Sequence, residues 1–243
     1  MIDNIKGMLE RKTLQIGPYR PIRSFVERQG RISPADRQAF EKIWKKYELS
    51  LTDKQLDCKR VFGRDAPITV EIGFGDGRSL LSMARENPQR DYIGIEVYKA
   101  GIVKLLIAVE QLGLTNIRVF CADALEVLNN CIADNSLDQV QLFFPDPWPK
   151  VRHHKRRIVQ TEFMNLLASK IRLGGTFHAA TDWEEYAMHM LSIIESHPSW
   201  VNVAGVQQFA ERPAFRPLTK FEQRGHRLGY GAWDLIFRKS RNI

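Results

Sequence analysis

The chain has 243 residues, 44% apolar and 26% charged, enough to bury one sizeable core. Its formal charge of +8 and pI near 9.5 favour a polyanionic partner, because neutralising phosphates is the commonest use of a basic domain. Cys58, Cys121 and Cys131 show no CxxC or Cys/His spacing, which argues against a metal site and a disulfide framework; with no signal-peptide core and no membrane-length apolar run, a soluble cytoplasmic protein is expected.

Residues 1–65 form a basic, weakly patterned approach to the core. They carry 15 Lys and Arg against nine acids, and so hold +6 of the net charge. That asymmetry reads as an RNA-facing arm, and the first thirty residues are expected to be mobile without a partner. Ser33-Pro34-Ala35-Asp36 predicts a helix start, with Ser33 as N-cap and Pro34 in the first turn, followed by the aromatic stripe Phe40, Ile43, Trp44 and Tyr47. The stripe has the spacing of one buried helix face.

From residue 66 onward the pattern alternates strand and helix. Strands are predicted at 68–72, 91–97, 116–121, 138–144 and 174–181, and helices at about 78–86, 100–112, 161–171 and 184–196, with a further helix after Ala122-Asp123-Ala124. Two more strands, about 201–209 and 230–238, make seven in all. Strands this apolar, separated by helices, predict an α/β fold: a mostly parallel, Rossmann-like sheet with helices on both faces and right-handed crossovers.

In such a sheet ligands gather at the carboxyl ends of the strands, and the chemically distinctive residues fall there. The turn at Gly73, Gly75 and Gly77 lets backbone approach a ligand, and Glu96 ends the second strand, where a carboxylate can accept two ribose hydroxyls. The third glycine comes two residues after the second, whereas a dinucleotide fingerprint needs three. Glu71, just before the turn, would repel a pyrophosphate but suits the cationic amino group of a methionine moiety. S-adenosyl-L-methionine is therefore preferred over NAD. Asp123 can take the adenine amino group; N-capping its helix is the alternative, and a capping or salt-bridged carboxylate is the alternative for Glu71.

The fourth strand runs into Phe144-Pro145-Asp146-Pro147-Trp148-Pro149-Lys150, then Val151-Arg152-His153-His154-Lys155-Arg156-Arg157. Each proline fixes its own φ and biases the preceding residue toward extended geometry, so Asp146 and Trp148 are expected to be rigidly held. Counted from Lys150, the basic run carries five Lys and Arg and no acid, and reads as a phosphate grip or a solvated helix face. Trp148 is a base-stacking platform or a core residue; His153 and His154 are RNA contacts or plain surface.

Together, Glu71 to Gly77, Gly94-Ile95-Glu96, the Phe144 to Lys150 turn with its basic run, Thr181-Asp182, and Thr219-Lys220-Phe221-Glu222-Gln223-Arg224-Gly225 resemble the bacterial tRNA (guanine-N7-)-methyltransferase family. The resemblance spans about 68–238. It implies a class I methyltransferase domain over 66–243, cofactor contacts from Glu71, Glu96, Asp123 and Asp146, and substrate contacts from Lys150, Asp182 and Thr219 to Glu222. It also implies a target guanine in the tRNA variable loop.

The chemistry is consistent with that. Guanine N7 carries no proton at neutral pH, so its methylation needs in-line placement and a negative site rather than a general base. Asp146 and Asp182 can supply the charge, with Arg152, His153, His154, Lys155, Arg156 and Arg157 on the RNA. Two other readings stay open: an exocyclic-amine methyltransferase, whose Asp-Pro-Pro-Tyr turn is akin to Pro-Asp-Pro-Trp, and a non-catalytic RNA-binding module on a degenerate fold.

Overall fold

A computed structural model describes residues 23–25, 30–51, 55–218, 222 and 231–242. The expectation of a mobile segment over the first thirty residues falls mostly outside them, as do the site candidates Thr219, Lys220 and Phe221.

Helix α1 (Pro34–Tyr47) begins as expected, with Ser33 Oγ accepting from Asp36 N–H at 3.0 Å and proline in the first turn. Its buried face is Phe40, Trp44 and Tyr47, with Phe40 and Trp44 rings 5.1 Å apart. The chain then adds β1 (Glu48–Leu49), α2 (Cys58–Phe62), β2 (Ile68–Ile72), α3 (Arg78–Glu86), β3 (Asp91–Ile95), α4 (Lys99–Gln111), β4 (Ile117–Phe120) and α5 (Ala124–Asn130). After β5 (Leu137–Phe143) come a 3-10 turn (Val151–Arg156), α6 (Thr161–Lys170), β6 (Ile171–Thr181), α7 (Glu184–Glu195), β7 (Trp200–Asn202) and β8 (Trp233–Lys239).

The sheet order is β1-β4-β3-β2-β5-β6-β8-β7, parallel from β1 to β6, with β8 antiparallel to both of its neighbours. Every residue of β2 and β3 is buried, which is why these strands read as mainly apolar runs. One apolar core lies on the face holding Val70, Ile93, Val140 and Phe177 and takes in Leu167 of α6 and Met190 of α7; the other joins Phe40, Leu80, Leu106 and Phe143 beneath α1, α3 and α4. Among the described residues no helix is long and apolar enough to cross a membrane.

The expected count of seven strands is corrected to eight among the described residues. The addition is β1, whose Glu48 and Leu49 pair with Val119 and Phe120; two residues are too few for any alternation to show. The strand expected over 201–209 ends at Asn202. Beyond it Val203 and Val206 are exposed, Asn202 Oδ1 accepts from Ala204 N–H at 3.0 Å, and Gly205 and Gln207 have positive φ, so the apolar spacing there belongs to a turn.

Strand order reverses between β2 and β5, which opens a crevice at their carboxyl ends. Everything below concerns that edge.

Candidate functional site

Gly73, Gly75 and Gly77 follow β2 with φ of 70°, 60° and 76°, a turn that only glycine adopts without strain. The turn is held from two sides. Gly75 N–H donates to Glu96 Oε2 at 2.7 Å, and a Cβ on Gly101 of α4 would strike the Gly75 carbonyl oxygen. Gly101 was not among the sequence candidates, although a glycine inside a helical pattern is a signal of close packing.

Glu96, buried at the end of β3, also accepts from Val97 N–H at 2.6 Å and Tyr98 N–H at 2.9 Å, both through Oε1. A carboxylate has about four lone-pair sites, so three amides fix its orientation and leave capacity for a further donor. Glu71 lies 2% exposed in β2, and its Oε2 has no hydrogen-bond partner among the described residues. Burial, with the Glu96 charge adding to it, pushes its carboxyl up to about 8. Asp123 Oδ1 caps α5 by accepting from Leu125 N–H at 2.8 Å, so the helix-capping alternative is present; a carboxylate retains a second oxygen.

These groups fit the cofactor inferred from the residues. An acidic side chain with an unmatched buried oxygen suits a cationic ammonium, and side chains added at Gly73 or Gly75 would meet nothing within 4 Å, so the backbone there is open to a close-lying ligand. Among the described residues no group of three or more His, Cys, Asp or Glu could hold a metal ion.

Asp146 and Asp182 are half-buried on the turns that follow β5 and β6. The turn carrying Asp146 departs from the extended geometry expected before proline: Phe144 has φ 53° and Trp148 φ 46°. Bulky residues with positive φ cost on the order of 1–3 kcal/mol each and persist only when their surroundings dictate it. Phe144 N–H donates to Ala180 O at 2.8 Å. The Trp148 indole lies under the Arg156 guanidinium at 4.8 Å, edge-on to His153 at 5.9 Å, and donates to Ser24 O at 3.3 Å. Tertiary contacts therefore override the local bias.

The basic run divides. Lys150, Arg152, Lys155 and Arg156 are exposed, and His153 and His154 are half-buried. Loss of hydration, together with the surrounding cations, holds His153 below the usual imidazole range. The expectation that Arg157 contacts RNA is corrected, because its side chain is fully buried. Its Nε donates to Pro147 O at 2.9 Å, Nη1 donates to Glu185 Oε1 at 3.0 Å, Nη2 pairs with Glu185 Oε2, and its face covers Tyr186 at 4.8 Å. The Arg157 bond holds the Glu185 carboxyl below its ordinary value. Arg157 thus ties the Asp146 turn to α7. Its position at the end of a basic run gave no sign of this.

Glu222 is buried, and both its oxygens accept from Arg216, at 2.7 and 2.8 Å. Arg216, Asp234 and His178 form a buried charged cluster with it that sequence reasoning missed, since an arginine in a polar connection reads as surface.

A family model described as "Putative methyltransferase" matches residues 65–235. A Hydrogenovibrio crunogenus protein named tRNA (guanine-N(7)-)-methyltransferase is 54% identical over 220 residues, covering 90% of this chain and 92% of that protein. An Escherichia coli K12 protein of the same name is 52% identical over 222 residues, covering 91% and 93%. The crystal structure of the 16S rRNA methyltransferase KamB superposes with TM-score 0.57 at 16% identity, over 77% of this chain and 95% of that one, a likeness of fold.

Proposed function

The chain belongs to the tRNA (guanine-N(7)-)-methyltransferase family, and on that premise we propose that it methylates N7 of a guanine in the tRNA variable loop, with S-adenosyl-L-methionine as cofactor. The observation that carries the reading is the convergence of Glu71, the glycine turn, Glu96 and the Asp146 turn on one sheet edge, beside an exposed basic face. The cofactor, when bound, supplies an electrophilic methyl group.

In this reading Glu71 faces the cofactor's ammonium, Glu96 receives the ribose hydroxyls, and Asp123 receives the adenine amine. Asp146 and Asp182 place negative charge where the methylated base becomes cationic, with Asp146 also orienting the cofactor. No proton leaves N7 in this step, so neither needs to act as a base. Lys150 and the segment Thr219, Lys220, Phe221 and Glu222 contact the substrate, while Arg152, His153, His154, Lys155 and Arg156 line the RNA. Residues 1–65 serve as a tRNA-facing arm to a catalytic domain over 66–243.

Incubation with methyl-labelled cofactor and bulk tRNA, followed by digestion to nucleosides, should place the label in 7-methylguanosine. Label in an N-methylated exocyclic amine would favour the second enzyme reading, and cofactor binding without labelling would favour a binding module.

Glu96→Ala should weaken cofactor binding by about 1.5–3 kcal/mol, the range for hydrogen bonds to a charged group, with tRNA affinity nearly intact. Equal cofactor affinity by calorimetry would remove the assignment. Replacing Arg152, Lys155 and Arg156 by alanine should flatten the slope of log tRNA affinity against log salt by roughly 0.7–0.9 per lost phosphate contact. An unchanged slope would make the run a solvated face only.

A further inference from the structure

We propose that Arg216 is a positioning residue for methyl transfer, locking Glu222 to the turn that carries Asp146. The inference rests on the function proposed above and adds a residue that touches neither reacting atom.

Arg216 is fully buried, and a buried guanidinium is tolerated only when its donors are matched. Nε donates to Asp234 Oδ1 and Nη2 to Asp234 Oδ2, both at 2.7 Å, while Nη1 and Nη2 reach the two Glu222 oxygens. Asp234 is fixed in turn, since β8 pairs with β6 and His178 Nε2 lies 2.6 Å from Asp234 Oδ1. One end of the clamp is therefore the sheet itself. The flat guanidinium lies 5.8 Å from the Phe143 ring and 5.7 Å from the Phe144 ring, at the junction of β5 and the turn. Phe144 is one of the two strained residues of that turn. A single side chain thus joins the sheet, the start of the Asp146 turn and Glu222.

The charges explain why this is a clamp rather than filler. Burial alone would raise the Asp234 carboxyl, but the bonds from His178 and Arg216 hold it below the ordinary range. Two buried carboxylates thus share one cation. Without it they repel at short range, and the one not built into a strand is free to leave. Buried ion clusters give little net stability over apolar packing, and what such a cluster can supply instead is one defined geometry. Lysine cannot reproduce it, having no planar fork to bond two carboxylates and no flat face for the two rings.

The test compares wild type, Arg216→Lys, Glu222→Gln and the double variant in single-turnover methylation of transcribed tRNA with labelled cofactor, both saturating. Cofactor affinity is taken by calorimetry and the folded fraction by thermal unfolding. Arg216→Lys should slow methylation per folded molecule on the order of 100-fold, the cost of misplacing a reacting group by about 1 Å. Its cofactor affinity should stay within about twofold, and the double variant should be little slower than the worse single one, because the pair acts as a unit. A normal rate per folded molecule, or losses that multiply in the double variant, would overturn the inference. If Arg216→Lys does not fold, Asp234→Asn loosens the same clamp from the strand side, and a wild-type rate there would overturn it equally. Absence of 7-methylguanosine with the wild-type chain would instead overturn the proposed function, and the inference with it.

Discussion

Glu71→Gln is expected to stabilise the cofactor-free protein at neutral pH while impairing its use of cofactor. The buried carboxyl titrates near 8, against 4.5 for an unperturbed glutamate, so folding takes up a proton anywhere between those values. Because the folded-state pKa is the raised one, this group's contribution to stability is fully present below pH 4.5 and is lost as pH rises toward 8, at about 1.4 kcal/mol per unit. By pH 7 the accumulated cost is on the order of 3 kcal/mol, which a neutral glutamine of similar shape avoids. Denaturant unfolding at pH 5 and pH 7.5 should therefore show the variant gaining on wild type as pH rises. If Glu71 faces the cofactor's ammonium as proposed, cofactor binding is proton-linked. An ammonium favours the ionised carboxylate, so binding at pH 7 should release a proton, and affinity should climb toward pH 8, above which an α-amino group itself loses charge. Calorimetry in two buffers of different ionisation enthalpy reads the proton directly. A variant less stable than wild type at pH 7.5, or no proton release in wild type, would mean Glu71 is ionised in the free protein.

Such a residue shows where sequence reading succeeds and where it stops. The strand preceding Glu71 was legible because β2 and β3 are buried on both faces and admit almost nothing polar, so a lone carboxylate in Ile68–Ile72 stands out. Its neighbours Gly73 and Gly75 were legible because their φ values suit almost no other residue. Arg157 and Arg216 were not. Arginine has the same local preferences whether solvated, on a phosphate or buried, and only the folded chain brings Glu185 to one and Asp234 to the other. The turn 144–149 failed for a related reason. Proline rules describe a chain without tertiary contacts, whereas Ala180, Arg156 and Ser24 hold Phe144 and Trp148 in left-handed geometry. The glycine–carboxylate edge could thus be read from local chemistry, and the two buried arginines that brace the Asp146 turn could not.

That bracing bears on the role proposed for Asp146. The turn is gripped through the Pro147 carbonyl by Arg157 and through the Phe144 ring by Arg216, so the Asp146 carboxylate is presented by a backbone with little freedom to lose. A preorganised charge of this kind lowers a barrier by facing positive charge as it develops, and methylation turns neutral guanine into a cation. Asp146→Asn keeps a hydrogen-bonding group but removes the charge; it should lose about 2–4 kcal/mol of barrier lowering, comparable with deleting one oxyanion-hole donor elsewhere. Asp146→Ala should lose more, because the oxygen that orients cofactor or base goes as well. A general base predicts a different pattern: asparagine would be as inactive as alanine, and the wild-type rate would follow one acidic ionisation. Single-turnover methylation at saturating cofactor and tRNA, from neutral to mildly acidic pH, separates the two. A flat wild-type profile over that range, with the order wild type, then Asn, then Ala, is the expected result. Equal Asn and Ala rates together with a single ionisation would show that a proton moves in the rate-limiting step and that positioning alone does not account for Asp146.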